Sequence, residues 1–201
     1  QFTTSKLSKL IIPSFAKLYG INEEEMVGTI KDYHTLHDFF IRKLKDGARV
    51  VDEREDVVVS PVDGLLTEVG TIDEHAKFYV KGKQYSLQSL LGLQNTMKHY
   101  IGGLYMLFYL SPKDYHRIHS PIDGEVIKRW ALGKYSEPVN QIGLLFGDQP
   151  LATNYRFITE LRCANKRMAL VKIGALNVNS IQTSHLHNVV KKGEELAYFS
   201  F

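Results

Sequence analysis

Two histidines three residues apart, His116 and His119, lie in a short stretch that also carries aspartate and serine side chains. The stretch spans residues 111–124 and reads SPKDYHRIHSPIDG. It directly follows an apolar run at residues 104–110, which predicts a buried strand. An imidazole titrates near neutral pH, and a neighbouring carboxylate can fix which ring nitrogen carries the proton. The stretch therefore predicts acid–base chemistry, with Asp63 and Asp114 as candidate carboxylates.

Part of this stretch is repeated upstream, since SPIDG at residues 120–124 matches SPVDG at residues 60–64 in four of five positions. Proline presets a turn, and Asp-Gly supplies a side-chain-capped turn followed by a residue free to take a positive φ. Each unit precedes a predicted strand, so the repeat indicates a pseudo-symmetric β-sandwich. If the two units lie side by side, Asp63 can reach the histidine pair.

Other functions fit parts of these patterns. Two histidines at this spacing on a helix could bind a metal and serve a metal-dependent hydrolase, but His34 and His37 have the same spacing and further ligands are lacking. We therefore predict no metal. The Asp-Gly turns also suit a lipoyl-like or phosphocarrier module, although no lysine at a hairpin tip or histidine on an anion-receptive face is evident.

Composition limits the classes of function. The chain has 201 residues, 44% of them apolar, and a net charge of +3 from scattered basic residues. This distribution argues against nucleic-acid binding. The single cysteine, Cys163, excludes an internal disulfide and suits a reducing compartment. No apolar run approaches the roughly 20 residues that span a bilayer.

Near residue 48 the sequence changes from segments with helical periodicity to short segments typical of strands. Residues 4–20 have helical periodicity that Pro13 should divide into two short helices, which either pack on the core or lie on a membrane surface with their lysines toward anionic lipid. Thr35 should cap a helix through about Leu44, and residues 86–91 should form another. Strands are predicted at residues 57–59, 65–69, 77–80, 103–110, 125–127, 157–161, 167–173 and 176–181.

The predicted fold is therefore α+β, with N-terminal helices packed on a mostly antiparallel, sandwich-like or barrel-like β-domain that contains duplicated hairpin units. We place a helical, membrane-associating segment at residues 1–48 and a β-rich catalytic domain at residues 49–201.

Several motifs in order resemble those of the phosphatidylserine decarboxylase family. The stretch around His116 and His119 is the most specific of them. The others are YHTLHDFFIRKLKDGAR at residues 33–49, the SPVDG unit, KQYSLQSLL at residues 83–91 and VKIGALNV at residues 171–178. The likeness covers roughly residues 5–201.

The resemblance implies a precursor that cuts itself. In this family a serine hydroxyl attacks the carbonyl of the preceding glycine, and elimination from the resulting ester leaves a pyruvoyl group on the downstream fragment. By this likeness His119 is the base and Asp63 its orienting partner, with Asp114 as a possible second carboxylate. GEELAYFSF at residues 193–201 resembles the segment before the cleaved Gly-Ser bond, so the serine is expected two places after Phe201. This chain is then the large subunit, ending next to the cleavage point.

The same resemblance implies the rest of the enzyme. A separate small subunit would carry the covalent pyruvoyl group, which converts phosphatidylserine to phosphatidylethanolamine and CO2. His116 is expected to contact the substrate carboxylate or to reprotonate the α-carbon. Ser136 and Asn140 belong to a loop that resembles the substrate-side loop of the family. A homodimer of heterodimers attached to the cytoplasmic face of a bacterial membrane, with no nucleic-acid partner, is the implied assembly.

Overall fold

The computed structural model describes residues 2–201; Gln1, which begins the predicted N-terminal segment, lies outside the described residues. Helices come first and antiparallel sheets follow, so the predicted α+β class is confirmed. Beyond 3₁₀ turns at Phe2–Thr4, Lys6–Ile11 and Ile30–Asp32, the helices are α1 (Ile12–Tyr19), α2 (Leu36–Phe40), α3 (Leu87–Leu91), α4 (Gln94–Met97), α5 (Gln141–Phe146) and α6 (Pro150–Thr153). The strands are β1 (Leu65–Thr71), β2 (Lys77–Val80), β3 (Lys83–Ser86), β4 (Leu104–Tyr109), β5 (Arg117–His119), β6 (Gly124–Leu132), β7 (Arg156–Cys163), β8 (Lys166–Ile173), β9 (Ser180–Thr183), β10 (Val189–Val190) and β11 (Glu195–Ser200).

The N-terminal helices follow from local sequence. Pro13 lies in the first turn of α1, where its missing N–H leaves no hydrogen bond unmade, so the predicted division into two short helices is confirmed. Thr35 caps α2 by accepting a hydrogen bond from the Asp38 backbone N–H at 3.0 Å. α2 ends at Phe40, however, and the prediction that it reaches Leu44 was wrong. Met26 instead pairs with Leu44 in an isolated antiparallel bridge, which takes the chain out of the helix.

Four sheets follow, and every strand pair in them is antiparallel. One sheet is four-stranded with the order β10-β6-β7-β8, and one of the four sheets curls into a half-barrel. A three-stranded sheet in the order β5-β11-β9 carries the histidine pair, and β1-β4 and β2-β3 form two further pairs. The predicted strand at residues 57–59 was wrong. That segment joins its neighbours through single hydrogen bonds, such as Val59 N–H to Pro121 O at 3.1 Å.

The two repeat units lie side by side and have matching local structure. The Ser60 hydroxyl donates to Val62 O at 2.8 Å, and the Ser120 hydroxyl donates to Ile122 O at 2.7 Å. His119 N–H donates to Pro61 O at 2.8 Å, which joins the second unit to the first. The strands that follow the units, β1 and β6, each have a bulge at the third residue after the unit glycine. The predicted pseudo-symmetry is therefore present in the backbone itself.

The glycines of the units are required for close approach rather than for a positive φ, which neither of them adopts. A Cβ on Gly64 would lie 2.9 Å from Tyr109 O, and one on Gly124 would lie 2.3 Å from Arg162 O. Each glycine thus lets its unit press against a neighbouring strand.

Three clusters of buried apolar side chains support these elements, and one of them joins the N-terminal helices to the end of the chain. Its buried members include Ile12, Met26 and Phe39, and Phe201 packs against it. Phe201, the residue that follows β11, therefore lies against the helical segment. This packing brings residues 36–42 next to β5 and β11.

Candidate active site

His119 lies at the end of β5 with both ring nitrogens engaged. Its Nδ1 lies 2.7 Å from the Gly193 carbonyl oxygen, and its Nε2 lies 3.3 Å from the Tyr115 hydroxyl. A carbonyl can only accept, so Nδ1 carries the proton and Nε2 presents a lone pair to Tyr115. Burial raises the pKa of Tyr115 to about 12, and the negative charges of Glu195 and Asp63 act in the same direction. Tyr115 therefore stays a phenol at neutral pH, and His119 Nε2 is available as a base.

Asp63 lies in the unit beside His119 but is held by an arginine. Arg49 Nε donates to both Asp63 carboxylate oxygens, at 3.0 and 2.9 Å, and Arg49 also binds Glu25. Among residues 2–201, no hydrogen bond joins Asp63 to His119. The Gly193 carbonyl occupies Nδ1, the position that the sequence analysis gave to Asp63. The sequence offered no signal for this carbonyl, because a backbone acceptor leaves no mark on residue type.

His116 is buried at the start of the β5 segment and has a defined tautomer. Its Nδ1 donates to the Asp114 carbonyl oxygen at 2.7 Å, so in the neutral ring Nε2 has a free lone pair. The ring packs on Phe40 with 4.0 Å between centroids. Burial lowers the pKa of His116 to about 4, so the imidazole is neutral at physiological pH. This state favours a proton-accepting role for Nε2 over an electrostatic grip on a carboxylate.

Asp114 contributes through its backbone as much as through its side chain. Its carboxylate accepts hydrogen bonds from the Ser111 N–H at 2.6 Å and from the Ser111 hydroxyl at 2.8 Å, which closes the turn after β4. Its carbonyl orients His116. The carboxylate predicted as a second partner for the base is therefore used, in this structure, to shape the loop that positions both histidines.

The register between β5 and β11 sets the order of the two histidines relative to Phe201. Glu195 pairs with His119, and Tyr198 pairs with Arg117. Phe199 N–H then donates to His116 O at 2.9 Å. Phe201 continues onto α2, where its ring lies 4.3 Å from that of Phe40. His116 is thus the nearer of the two histidines to Phe201.

Proteins with similar sequences show which family this chain belongs to. The sequence model described as "Phosphatidylserine decarboxylase" matches residues 36–201. The chain is also 52% identical over 200 residues to a phosphatidylserine decarboxylase proenzyme of Geobacillus sp. (strain WCH70), covering all of this chain and 77% of that protein. This chain belongs to the phosphatidylserine decarboxylase family. The proenzymes of Geobacillus kaustophilus (strain HTA426) and Bacillus cereus (strain ATCC 10987 / NRS 248) are 51% and 49% identical over 201 residues, and the chain covers 76% and 77% of them.

Arg117, which lies between the two histidines, is a further residue of the candidate site and was not predicted from the sequence. Its Nη1 binds both carboxylate oxygens of Glu195, at 2.8 and 3.0 Å, while Nε and Nη2 donate to Ile41 O. The side chain is buried, and the ion pair ties β5 to β11 and both to the end of α2. Its position between His116 and His119 was the available signal, since a buried arginine inside a histidine motif requires a partner.

Among residues 2–201, no described contact joins Ser136 or Asn140 to His116 or His119. Asn140 Oδ1 accepts from Gly143 N–H at 2.8 Å and so caps α5. The Ser136 hydroxyl accepts from Asn179 Nδ2 at 3.2 Å, next to β9. Asn154, which sequence analysis also missed, is fully buried and fixes this loop through hydrogen bonds to Glu137 and Gly174.

Two searches of the described part of the chain bear on the other interpretations. No group of three or more His, Cys, Asp or Glu side chains within it is arranged to hold a metal ion. No helix within it is long and apolar enough to cross a membrane.

We expect the pKa of His116 to make folding pH-dependent between about pH 6.5 and 4. The unfolded chain binds a proton near pH 6.5, whereas the folded chain resists protonation until about pH 4. The contribution is complete above pH 6.5, is lost as the pH falls, and amounts to about 3 kcal/mol in the free energy of unfolding. Urea unfolding at pH 7, 5.5 and 4 measures it. As the pH is lowered, the free energy of unfolding of His116→Gln should fall less steeply than that of the wild type. Identical slopes would contradict the assignment.

Proposed function

We propose that this chain is the large subunit of a self-processing decarboxylase that converts phosphatidylserine to phosphatidylethanolamine and CO2. The family uses a pyruvoyl group, and we place that group on a separate small subunit. The observation that carries the proposal is the pair of imidazoles next to β11, each with Nδ1 held by a backbone carbonyl so that Nε2 carries the lone pair, which in His119 faces the Tyr115 hydroxyl.

In the first reaction His119 acts as the base. The segment at residues 193–199 resembles the family motif that precedes the cleaved Gly-Ser bond, so we place the serine just after Phe201. His119 Nε2 takes the serine hydroxyl proton while the oxygen bonds to the glycine carbonyl carbon, and the peptide C–N bond breaks to leave an ester. Removal of the serine α-proton expels the glycine carboxylate, and addition of water then releases ammonia and leaves the ketone. Asp63 can orient His119 only after it leaves Arg49, which holds both of its carboxylate oxygens in this structure.

The side chains beside Phe201 suit a small carbonyl group. His37 lies 6.5 Å from Phe201 between ring centroids, and its Nδ1 is buried without a hydrogen-bond partner among the described residues. His116 Nε2 likewise has no hydrogen-bond partner among residues 2–201. When bound, the pyruvoyl group condenses with the substrate amine and accepts the electron pair released as CO2 departs.

In the second reaction this chain positions the substrate and moves a proton. We propose that His116 Nε2, which the tautomer enforced by the Asp114 carbonyl leaves unprotonated, first takes a proton from the substrate ammonium group and then returns that proton to the α-carbon. Phe40 packs against both His116 and Phe201, and these aromatic rings help to exclude water from the imidazole. Ser136 and Asn140 remain candidates for contact with substrate through movement of their loop.

Activity against phosphatidylserine vesicles tests this function. We expect the whole two-subunit enzyme to release CO2 and phosphatidylethanolamine in equal amounts. Phenylhydrazine, which blocks carbonyl groups, should abolish the activity, and EDTA should leave it unchanged. Activity that survives phenylhydrazine would contradict a carbonyl cofactor.

We also propose that the N-terminal segment attaches the enzyme peripherally to the cytoplasmic face of a bacterial membrane. Leu7, Leu10 and Leu18 are among the most exposed apolar side chains of the protein, and lysines alternate with them. The same proposal includes a boundary between residues 48 and 49, which separates the membrane-associating segment from the β-rich domain. It also includes assembly into a homodimer of heterodimers.

Replacing these three leucines with asparagine should weaken binding to anionic vesicles by about tenfold or more, because each apolar side chain that enters the headgroup region contributes about 1 kcal/mol. Vesicle co-sedimentation of the whole enzyme measures the change. The matched control replaces Leu176, Leu186 and Val189, which are similarly exposed. Equal binding by the two triple variants would refute an N-terminal attachment site.

A further inference from the structure

Arg42 is a buried cation whose hydrogen-bonding capacity is mostly unused. The residue is 5% exposed. Its Nη2 donates to Lys113 O at 2.7 Å and, more weakly, to Asp114 O at 3.4 Å. Its Nε and Nη1 are buried without an acceptor among the described residues, and no carboxylate in that part of the chain lies within 4.0 Å of it. Buried guanidinium groups normally have both a counter-charge and acceptors.

The other two buried arginines show what a satisfied guanidinium looks like in this fold. Arg117 has acceptors for Nε, Nη1 and Nη2 and pairs with Glu195. Arg156 has no carboxylate partner, but its three nitrogens donate to the carbonyls of Leu90, Asn154 and Ser89. Arg42 therefore differs from both, and its missing partner must come from outside the described residues.

Arg42 lines a pocket of about 370 Å³ together with Tyr33, Lys43 and Arg117. Two carboxylates also line it, those of Asp32 and Asp38. Asp32 is held by the N–H of Thr29 at 2.7 Å and by its hydroxyl at 3.0 Å. The pocket is thus not strongly positive overall. The unused donors of Arg42 are shielded from solvent in this structure, so an anion in the pocket reaches them only when the Arg42 side chain shifts.

The pocket is coupled to the proposed catalytic histidine. Arg42 Nη2 and His116 Nδ1 both donate to the Asp114 carbonyl. The same pocket lies in the segment that packs under the N-terminal helices, since Tyr33 contacts the apolar cluster containing Ile12 and Met26.

We propose that Arg42 binds the phosphodiester of the lipid headgroup, and this assignment rests on the proposed function. Only three covalent bonds separate the phosphorus of the headgroup from the α-carbon that loses CO2, so a phosphate subsite must adjoin the residue that acts on that carbon. The substrate carboxylate is the poorer partner, because a fixed cation on it would stabilise the ground state and oppose its departure as CO2. The phosphodiester keeps its charge throughout, and a guanidinium matches its oxygens with paired N–H groups.

Kinetics of the whole two-subunit enzyme test the assignment. With dioctanoyl phosphatidylserine, Arg42→Gln should raise KM about tenfold or more and change kcat by less than about threefold. The KM of Arg42→Lys should lie between the values for Arg42→Gln and the wild type. The control is Arg162→Gln, which removes an exposed arginine paired with Glu125 and should alter neither constant.

Inhibition identifies the group that Arg42 recognises. Glycerophosphoethanolamine should inhibit the wild type competitively, and Arg42→Gln should raise its inhibition constant about tenfold, while that of phosphate-free ethanolamine stays the same. Inorganic phosphate should compete more weakly than glycerophosphoethanolamine; equal competition would overturn the headgroup assignment in favour of a general phosphate site.

Two further outcomes would overturn the proposal while leaving the proposed function intact. One is an unchanged KM in Arg42→Gln with a lower melting temperature of the two-subunit enzyme. The other is failure of both Arg42 variants to mature. Either would place the missing partner of Arg42 on the small subunit. Absence of decarboxylation in the wild type would instead refute the proposed function itself.

Discussion

Replacing His119 with alanine in the full-length precursor should leave that precursor uncut. The serine hydroxyl is a weak nucleophile until a base removes its proton, and we propose that this base is His119 Nε2, whose ring the Gly193 carbonyl orients. Loss of such a base should slow cleavage by at least about 1000-fold. Denaturing gel electrophoresis and intact mass over several hours measure the uncut fraction.

The control for this variant is His75→Ala, because His75 is largely exposed and lies in the turn before β2, outside the site. It should mature at the wild-type rate. His119→Ala should also retain a cooperative thermal transition, which separates lost chemistry from lost folding. Normal maturation of His119→Ala would remove His119 from the cleavage step.

His116→Ala should mature and then decarboxylate poorly. Its neutral imidazole is placed to exchange a proton with the substrate, and removal of a general acid–base group typically costs about 100-fold to 10,000-fold in kcat. The cleaved fraction is measured first, and CO2 release per cleaved enzyme is measured afterwards. KM should change much less than kcat, because the expected contribution is to the transition state.

The register of β5 on β11 makes this second variant the sharper test of how the two histidines divide the work. His116 is nearer to Phe201 than His119 is, because Phe199 N–H already reaches the His116 carbonyl. If His116→Ala failed to cut itself while His119→Ala matured, the two roles would have to be exchanged. Failure of both would assign the histidines to cleavage jointly.

The fold was largely predictable because local rules agreed with the tertiary structure. Pro13 and Thr35 set helix boundaries by their own chemistry, and the SPVDG repeat predicted paired units that the structure joins through His119 N–H and Pro61 O. The end of α2 was not predictable, because pairing of Met26 with Leu44 depends on residues 18 positions apart. Two short helices within residues 133–154, α5 and α6, were not predicted. With six and four residues, they are too short to show helical periodicity in the sequence.

The candidate site was predictable in its residues and less so in its contacts. The Asp114 carbonyl contacts His116, whereas His119 has other partners, the Gly193 carbonyl and the Tyr115 hydroxyl. The partners of Asp63 and His119 were not evident, because Arg49 and the Gly193 carbonyl reach them from distant parts of the chain. Sequence reasoning names side chains that can do chemistry, but a backbone acceptor is available at every position, so only the folded chain shows which one is used.

The most direct test of self-processing is the intact mass of the small fragment that accompanies this chain after expression of the full-length precursor. We predict a fragment whose N-terminus is blocked by a pyruvoyl group, about 1 Da heavier than dehydroalanine at the same position because a ketone oxygen replaces the imine N–H. Borohydride should then add 2 Da by reducing the ketone to a lactoyl group. A fragment that begins with free serine, or the absence of any fragment, would contradict the account.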